Sequence, residues 1–123
     1  MGLLLLLQQA QKQLEELTIK KEITLAELPI ELQMISICES GSRHEVKGKV
    51  IKSKTGDIGI MQINLKAHKA RAEQLGYDIY NGNGNMAYAL LLFNENGLRD
   101  WQASAKCWKP KLAVKPNNSL VVP

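Results

Sequence analysis

Gly56-Asp57-Ile58-Gly59-Ile60-Met61-Gln62-Ile63-Asn64 is the segment from which the rest of the chain is best read. Its three β-branched isoleucines at 58, 60 and 63, broken by Gly56 and Gly59, predict short extended strands and tight turns, not a helix. The flanking glycines let the backbone turn sharply and approach a ligand closely. Gln62 and Asn64 then fall on one face of an extended segment. Upstream, Val46, Val50 and Ile51 with Gly48 continue the pattern, so residues 41–64 read as a small hairpin or three short strands. The lysines at 47, 49, 52 and 54 fit an exposed edge strand kept soluble by charge. A role for them in attracting an anionic polymer is the lesser reading.

Helical signals lie on both sides of this segment. Residues 3–17 are strong helix formers without Gly or Pro. Thr24 followed by Glu27 has the spacing of a capping box, predicting a helix from 25 to about 38 with Pro29 tolerated in its first turn. Leu32, Ile35 and the Met34/Cys38 pair give that helix an apolar stripe, and Gly41 ends it. Downstream, Leu65–Leu75 reads as a helix stopped by Gly76. Residues 81–85 read as a Gly/Asn loop whose last residue, Asn85, caps a helix over 86–94, with Gly97 as its stop. A short helix around 100–107 is expected to stop before Pro110, leaving a tail with Pro110, Pro116 and Pro123. The expected architecture is α+β, mainly α, divided into an N-terminal helix over 1–23, a central domain over 24–108 and a tail over 109–123.

Composition bounds the function. The 123 residues, 45% hydrophobic and 23% charged, suit one domain with a genuine core and exclude wholesale disorder. Tyr77, Tyr80, Tyr88, Phe93, Trp101 and Trp108 are the only aromatic residues, too few for a stacking platform, which argues against a single-strand nucleic-acid binder. They also imply an aliphatic core in which any exposed Trp would be functional. A formal charge of +4 favours anionic partners such as nucleic acid, teichoic acids or peptidoglycan carboxylates, although many small domains are this basic without a dedicated partner. Nothing approaches the roughly 18 consecutive apolar residues of a membrane span, so no stable membrane insertion is expected. Leu3 to Leu7 is a short apolar run with no Lys or Arg before it; it reads as the start of an amphipathic helix, or else as the trimmed end of a signal. Cys38 and Cys107 allow one disulfide or two buried thiols, and spacing alone leaves both open.

Two carboxylates carry the strongest chemical signal. Glu39 closes an apolar helix, where the helix dipole and apolar neighbours both disfavour its charged form. An acid held protonated near neutral pH suits protonation of a leaving oxygen. A hairpin folded back on that helix end would bring Asp57 opposite it, and two carboxylates in unlike environments can divide the roles of acid and nucleophile. Competing motifs are incomplete. His44-Glu45 lacks the second His of a zinc helix, so no metal or other cofactor is expected. Cys38 with His44 is a weak pair for thiol chemistry, because a Cys at a helix end beside Glu39 should not be acidified. His68 is expected on an exposed helical face. Gly82-x-Gly84 lacks the strand and third glycine of a phosphate loop, and Asn117-Asn118-Ser119 fits a glycosylation sequon of the kind that arises by chance.

In combination, Glu39-Ser40-Gly41, the β-rich gap and Gly56 to Asn64 resemble the lysozyme-like superfamily. The order ES…GxxGxMQ is similar to soluble lytic transglycosylases, and DIGIMQIN to the matching strand of animal C-type lysozymes. Asp78-Ile79, a helix, then Gly97…Trp101…Cys107 resembles the C-type segment that places a cleft tryptophan. The likeness spans about residues 25–108. Two departures stand out: Ala87-Tyr88-Ala89 replaces the Ala-Tyr-Asn of the transglycosylase helix, and two cysteines cannot form the several disulfides of C-type lysozymes.

The resemblance implies a lysozyme-like fold that cleaves the β-1,4 bond between N-acetylmuramic acid and N-acetylglucosamine. Glu39 would be general acid and then base, and Asp57 nucleophile or oxocarbenium stabiliser. Ser40, Gln62, Asn64 and Trp101 would contact substrate, with Trp101 also the apolar wall that keeps Glu39 protonated. It further implies pairing of Cys38 with Cys107 and a monomer acting on peptidoglycan glycan strands outside the cytoplasm, in secreted, periplasmic, wall-associated or phage-encoded form. The alternatives are a lytic transglycosylase, in which Glu39 acts alone and the product is an anhydro sugar, and a non-catalytic wall-binding domain.

Overall fold

Glycine-free and proline-free after its first residue, the leucine- and glutamine-rich start of the chain forms helix α1 (Gly2–Thr18). The structure, a computed structural model, describes residues 2–18 and 20–114, with side chains described outside 12–18. Leu3 to Leu7 are all exposed. No helix among the described residues is long and apolar enough to cross a membrane.

The Glu27 carboxylate accepts both the backbone N–H of Thr24 (2.9 Å) and its hydroxyl (3.0 Å), as the capping-box spacing predicts. It closes only a single 3₁₀ turn, Leu25–Glu27. Leu28 is extended, with φ −70° and ψ 148°, and helix α2 runs over Ile30–Ser40 with Pro29 as its N-cap. The continuous helix expected from 25 is therefore split in two. A residue before proline is pushed out of the helical region, so the helix restarts only after the ring. Gly41, at φ +66°, terminates α2 by donating its N–H to the carbonyls of Ile37 and Ser36.

The β-region contains two antiparallel hairpins in place of a three-stranded sheet. β1 (Glu45–Val46) pairs with β2 (Lys49–Val50), and β3 (Asp57–Ile58) pairs with β4 (Ile63–Asn64). A single bridge between Lys52 and Ile58 connects them. Left-handed residues cut each strand to two residues: Lys47 and Gly48 in the first turn, Gly59 and Gln62 in the second. The register sets Asp57 opposite Asn64. The four lysines at 47, 49, 52 and 54 are exposed.

Helix α3 (Leu65–Leu75) follows β4 directly and ends at Gly76 with φ +86°, as expected. Helix α4 (Gly82–Asn96) begins earlier than the composition of 81–85 implies, because Asn81, not Asn85, is the cap. The Asn81 side chain accepts the N–H groups of Asn83 and Gly84. Gly84 is needed inside the helix, since a Cβ there would lie 2.1 Å from the Asp78 carbonyl oxygen. A 3₁₀ segment, Arg99–Ser104, leads into α5 (Ala105–Ala113). α5 passes through Pro110 instead of stopping before it; Pro110 lies on an exposed face, where a carbonyl deprived of its donor can meet water. Positions 109–113, expected to begin the tail, are thus helical. The sequon at 117–119 and the rest of the tail lie outside the described residues.

α2 packs against α5 and the 3₁₀ segment. Leu32 and Ile35 of α2, Ile58, Met61 and Ile63 of the second hairpin, and Tyr88 and Leu92 of α4 form the interior. Trp101 and Trp108 are also buried, which corrects the expectation of an aliphatic core. Each indole N–H is satisfied inside: Trp108 donates to the Trp101 carbonyl and Trp101 to the Met61 carbonyl, both at 3.0 Å. Cys38 and Cys107 form a disulfide that joins α2 to α5 across a sequence separation of 69.

Candidate active site

Because Gly41 stops α2 one residue after Ser40, Glu39 sits in the last helical turn with its side chain half-buried. The Ser104 hydroxyl donates to Glu39 Oε2 at 2.6 Å. Burial pushes the Glu39 carboxyl above its ordinary range; the Ser104 hydrogen bond opposes this, and the Asp57 charge adds to it. A carboxylate at the negative end of a helix is disfavoured in the same sense.

Asp57 opens β3, facing the other way energetically. Its Oδ2 accepts the hydroxyls of Ser53 (2.8 Å) and Thr55 (2.7 Å), and its Oδ1 accepts Asn64 Nδ2 (2.9 Å). Partial burial works against ionisation, but the hydrogen bonds from Thr55, Asn64 and Ser53 together outweigh it and hold Asp57 below the usual carboxylate range. Asn64 does two jobs with one amide. Its Oδ1 accepts the Ala67 N–H at 3.0 Å, capping α3, while Nδ2 reaches Asp57. Asn64→Ala is expected to cost about 1 kcal/mol of stability through the lost cap. It should also raise the Asp57 pKa, because one donor to the charged form is gone. Thermal unfolding and a carboxylate NMR titration check the two effects separately.

Asp57, Gln62, Asn64 and Trp101 line one pocket of about 70 Å³ together with His68 and Asp100. Gln62 adopts φ +52°, rare for a residue with a side chain, and its Nε2 donates to the Gly59 carbonyl at 3.0 Å. Four residues singled out in the sequence thus share one cavity; Glu39 does not line it, and the Asp57 charge is the smallest of the three influences on its carboxyl. Ser40 is placed differently. Its buried hydroxyl donates to the carbonyls of Ile60 (2.7 Å) and Ser36 (3.2 Å) and accepts the Arg43 N–H (3.2 Å). These bonds clamp the end of α2 to the β3–β4 turn.

The same turn is held from below. Fully buried Asn85 accepts the Met61 N–H at 2.9 Å and donates to the carbonyls of Ile58 (3.0 Å) and Ile79 (2.9 Å). His44 accepts the Ile60 N–H at Nδ1 (3.1 Å), and its Nε2 faces the Tyr80 carbonyl (2.8 Å). A side chain at Gly59 would strike both residues at 2.5 Å. His44 is therefore a strut, and Cys38 is committed to the disulfide, which leaves thiol chemistry without a nucleophile. His68 is half-buried and lines the pocket, not exposed as its helical position implied.

Sequence reasoning missed Ser104, Ser53, Thr55 and His68. Ser53 and Thr55 were findable, since hydroxyls four and two residues before an Asp in a glycine turn are placed to bond its carboxylate. Ser104 reaches Glu39 only because α5 and its 3₁₀ lead-in pack on α2, and no local pattern encodes that. Among the described residues, no group of three or more His, Cys, Asp or Glu side chains is placed to hold a metal ion. No protein-family model, curated protein or solved structure matches the chain.

Proposed function

We propose that this domain is a lysozyme-like glycosidase that cleaves the β-1,4 bond between N-acetylmuramic acid and N-acetylglucosamine in peptidoglycan. The observation that carries the reading is a pair of carboxyl groups with opposite electrostatic leanings. Glu39 is biased toward its protonated form and Asp57 toward its charged form. That division is what glycoside hydrolysis requires of two carboxyl groups. Glu39 protonates the leaving oxygen and then, as a carboxylate, takes a proton from the incoming water. Asp57 stabilises or captures the positively charged sugar that forms between these steps. Gln62 and Asn64 border the sugar, with the buried Trp101 forming the apolar floor of the pocket. The basic balance of the chain suits an anionic wall polymer, and the disulfide suits an oxidising, extracytoplasmic setting. The proposed working form is a monomer.

Mass spectrometry of soluble fragments released from purified peptidoglycan tests the reading. Fragments ending in reducing muramic acid are expected. Products lighter by one water, carrying the anhydro ring, would make the enzyme a lytic transglycosylase and remove Asp57 from the chemistry. Absence of any fragment, with wall binding retained, would favour a binding domain.

The pH profile follows from the two shifts. Activity needs Asp57 ionised and Glu39 protonated, so it rises above the lowered Asp57 pKa and falls as pH passes the raised Glu39 pKa. Ser104→Ala removes the one hydrogen bond that favours Glu39 ionisation. The basic limb of the kcat/KM profile is therefore expected to move to higher pH, with the acidic limb in place. A basic limb that stays put or moves down would break the link between Ser104 and the acid.

A further inference from the structure

His68 projects from α3 into the pocket that also holds Asp57 and Asp100. Its Nδ1 lies 2.9 Å from the hydroxyl of Tyr88, while Nε2 has no partner among the described residues. Tyr88 is fully buried in α4, and the positive charge of Arg71 acts on its hydroxyl. Arg71 is itself gripped at both amino groups by the Glu95 carboxylate. A nearby cation attracts the hydroxyl oxygen and turns the O–H proton away from itself, toward Nδ1. The placing of Arg71, Tyr88 and His68 therefore favours the imidazole with its proton on Nε2.

Resting on the glycosidase reading, we infer that His68 is a substrate-binding residue whose Nε2–H donates to an uncharged oxygen of the glycan, with Tyr88 as the residue that positions it. Asp57 and Asp100 flank the same pocket, so a carboxylate-bearing substituent would meet two like charges there. A hydroxyl or an acetamido carbonyl would not. Burial disfavours the charged imidazole of His68, with Arg71 acting in the same sense and Asp100 and Glu95 against it.

The test uses the full chain and a trimer of N-acetylglucosamine as probe. Long-range nitrogen–proton NMR of the imidazole should report the Nε2–H form in the free protein, and Nε2 should shift on adding the trimer. His68→Ala is expected to weaken trimer binding roughly three- to tenfold, and His68→Gln, which keeps a donor amide, to recover part of the loss. Tyr88→Phe should produce a mixture of the two imidazole tautomers. An Nδ1–H form in the parent protein, or a trimer that binds without shifting Nε2 and as tightly to His68→Ala, would overturn the assignment of His68 alone. A parent protein that binds no trimer and releases no wall fragments would overturn it together with the glycosidase reading.

Discussion

Glu39→Gln releases soluble fragments from purified peptidoglycan at least about a hundredfold more slowly than the parent, the expected loss when a general acid is removed. Glutamine keeps the size of the side chain and an oxygen that can accept the Ser104 hydroxyl, so the end of α2 and its contact with the 3₁₀ segment should survive. The variant loses the proton, not the site. Its stability provides an internal check. The folded protein raises the Glu39 pKa above its unfolded value, so folding takes up a proton there, and the parent loses stability as pH rises from the unfolded pKa through the folded one. The glutamine variant escapes that loss and should be the more stable protein at neutral pH, with the difference closing under acid. A variant that lyses walls as fast as the parent would remove Glu39 from the mechanism. A variant that is inactive and also unfolded at neutral pH would contradict the stability argument.

Cys38→Ser with Cys107→Ser should give the largest loss of stability. A bond closing a separation of 69 residues contributes about 4 kcal/mol in the chain-entropy model. For a domain of this size that corresponds to a fall in Tm on the order of 15 °C. The consequence reaches the site, because Cys38 precedes Glu39 and Cys107 follows Ser104 by one helical turn. The disulfide therefore ties together the two segments whose side chains meet at Glu39. Reductant should lower the Tm of the parent to near that of the double serine variant and leave the variant itself unchanged. A parent Tm indifferent to reductant would show that the bond contributes nothing in solution.

Several elements were readable because short-range physics decides them. α3 matches its expected limits, since Asn64 caps it from within the same turn and Gly76 takes up the left-handed conformation that ends it. Gly41 and Gly97 stop their helices for reasons equally local to the chain. Proline misled in both directions. Pro29 split a helix that the capping box seemed to start, and Pro110 sits within one it was expected to end. A proline's cost depends on whether the freed carbonyl faces water and on what its neighbours pack against, and sequence spacing reports neither.

By itself the sequence determined a mainly helical chain with a small β-excursion, and it singled out Glu39 at a helix end and Asp57 between glycines. Those properties follow from backbone preference, hydrogen bonds within a few residues and the period of apolar side chains. Tertiary structure alone decided where Asn85 turns its amide, that both tryptophans are buried, and that Cys38 meets Cys107. It also decided the opposed leanings of the two carboxylates. Asp57 owes its lowered pKa mostly to neighbours in its own loop, within seven residues. Glu39 owes its raised pKa to burial at the end of α2, the helix on which α5 and the 3₁₀ segment pack. Desolvation depends on everything packed nearby, so it exists only once the chain has folded.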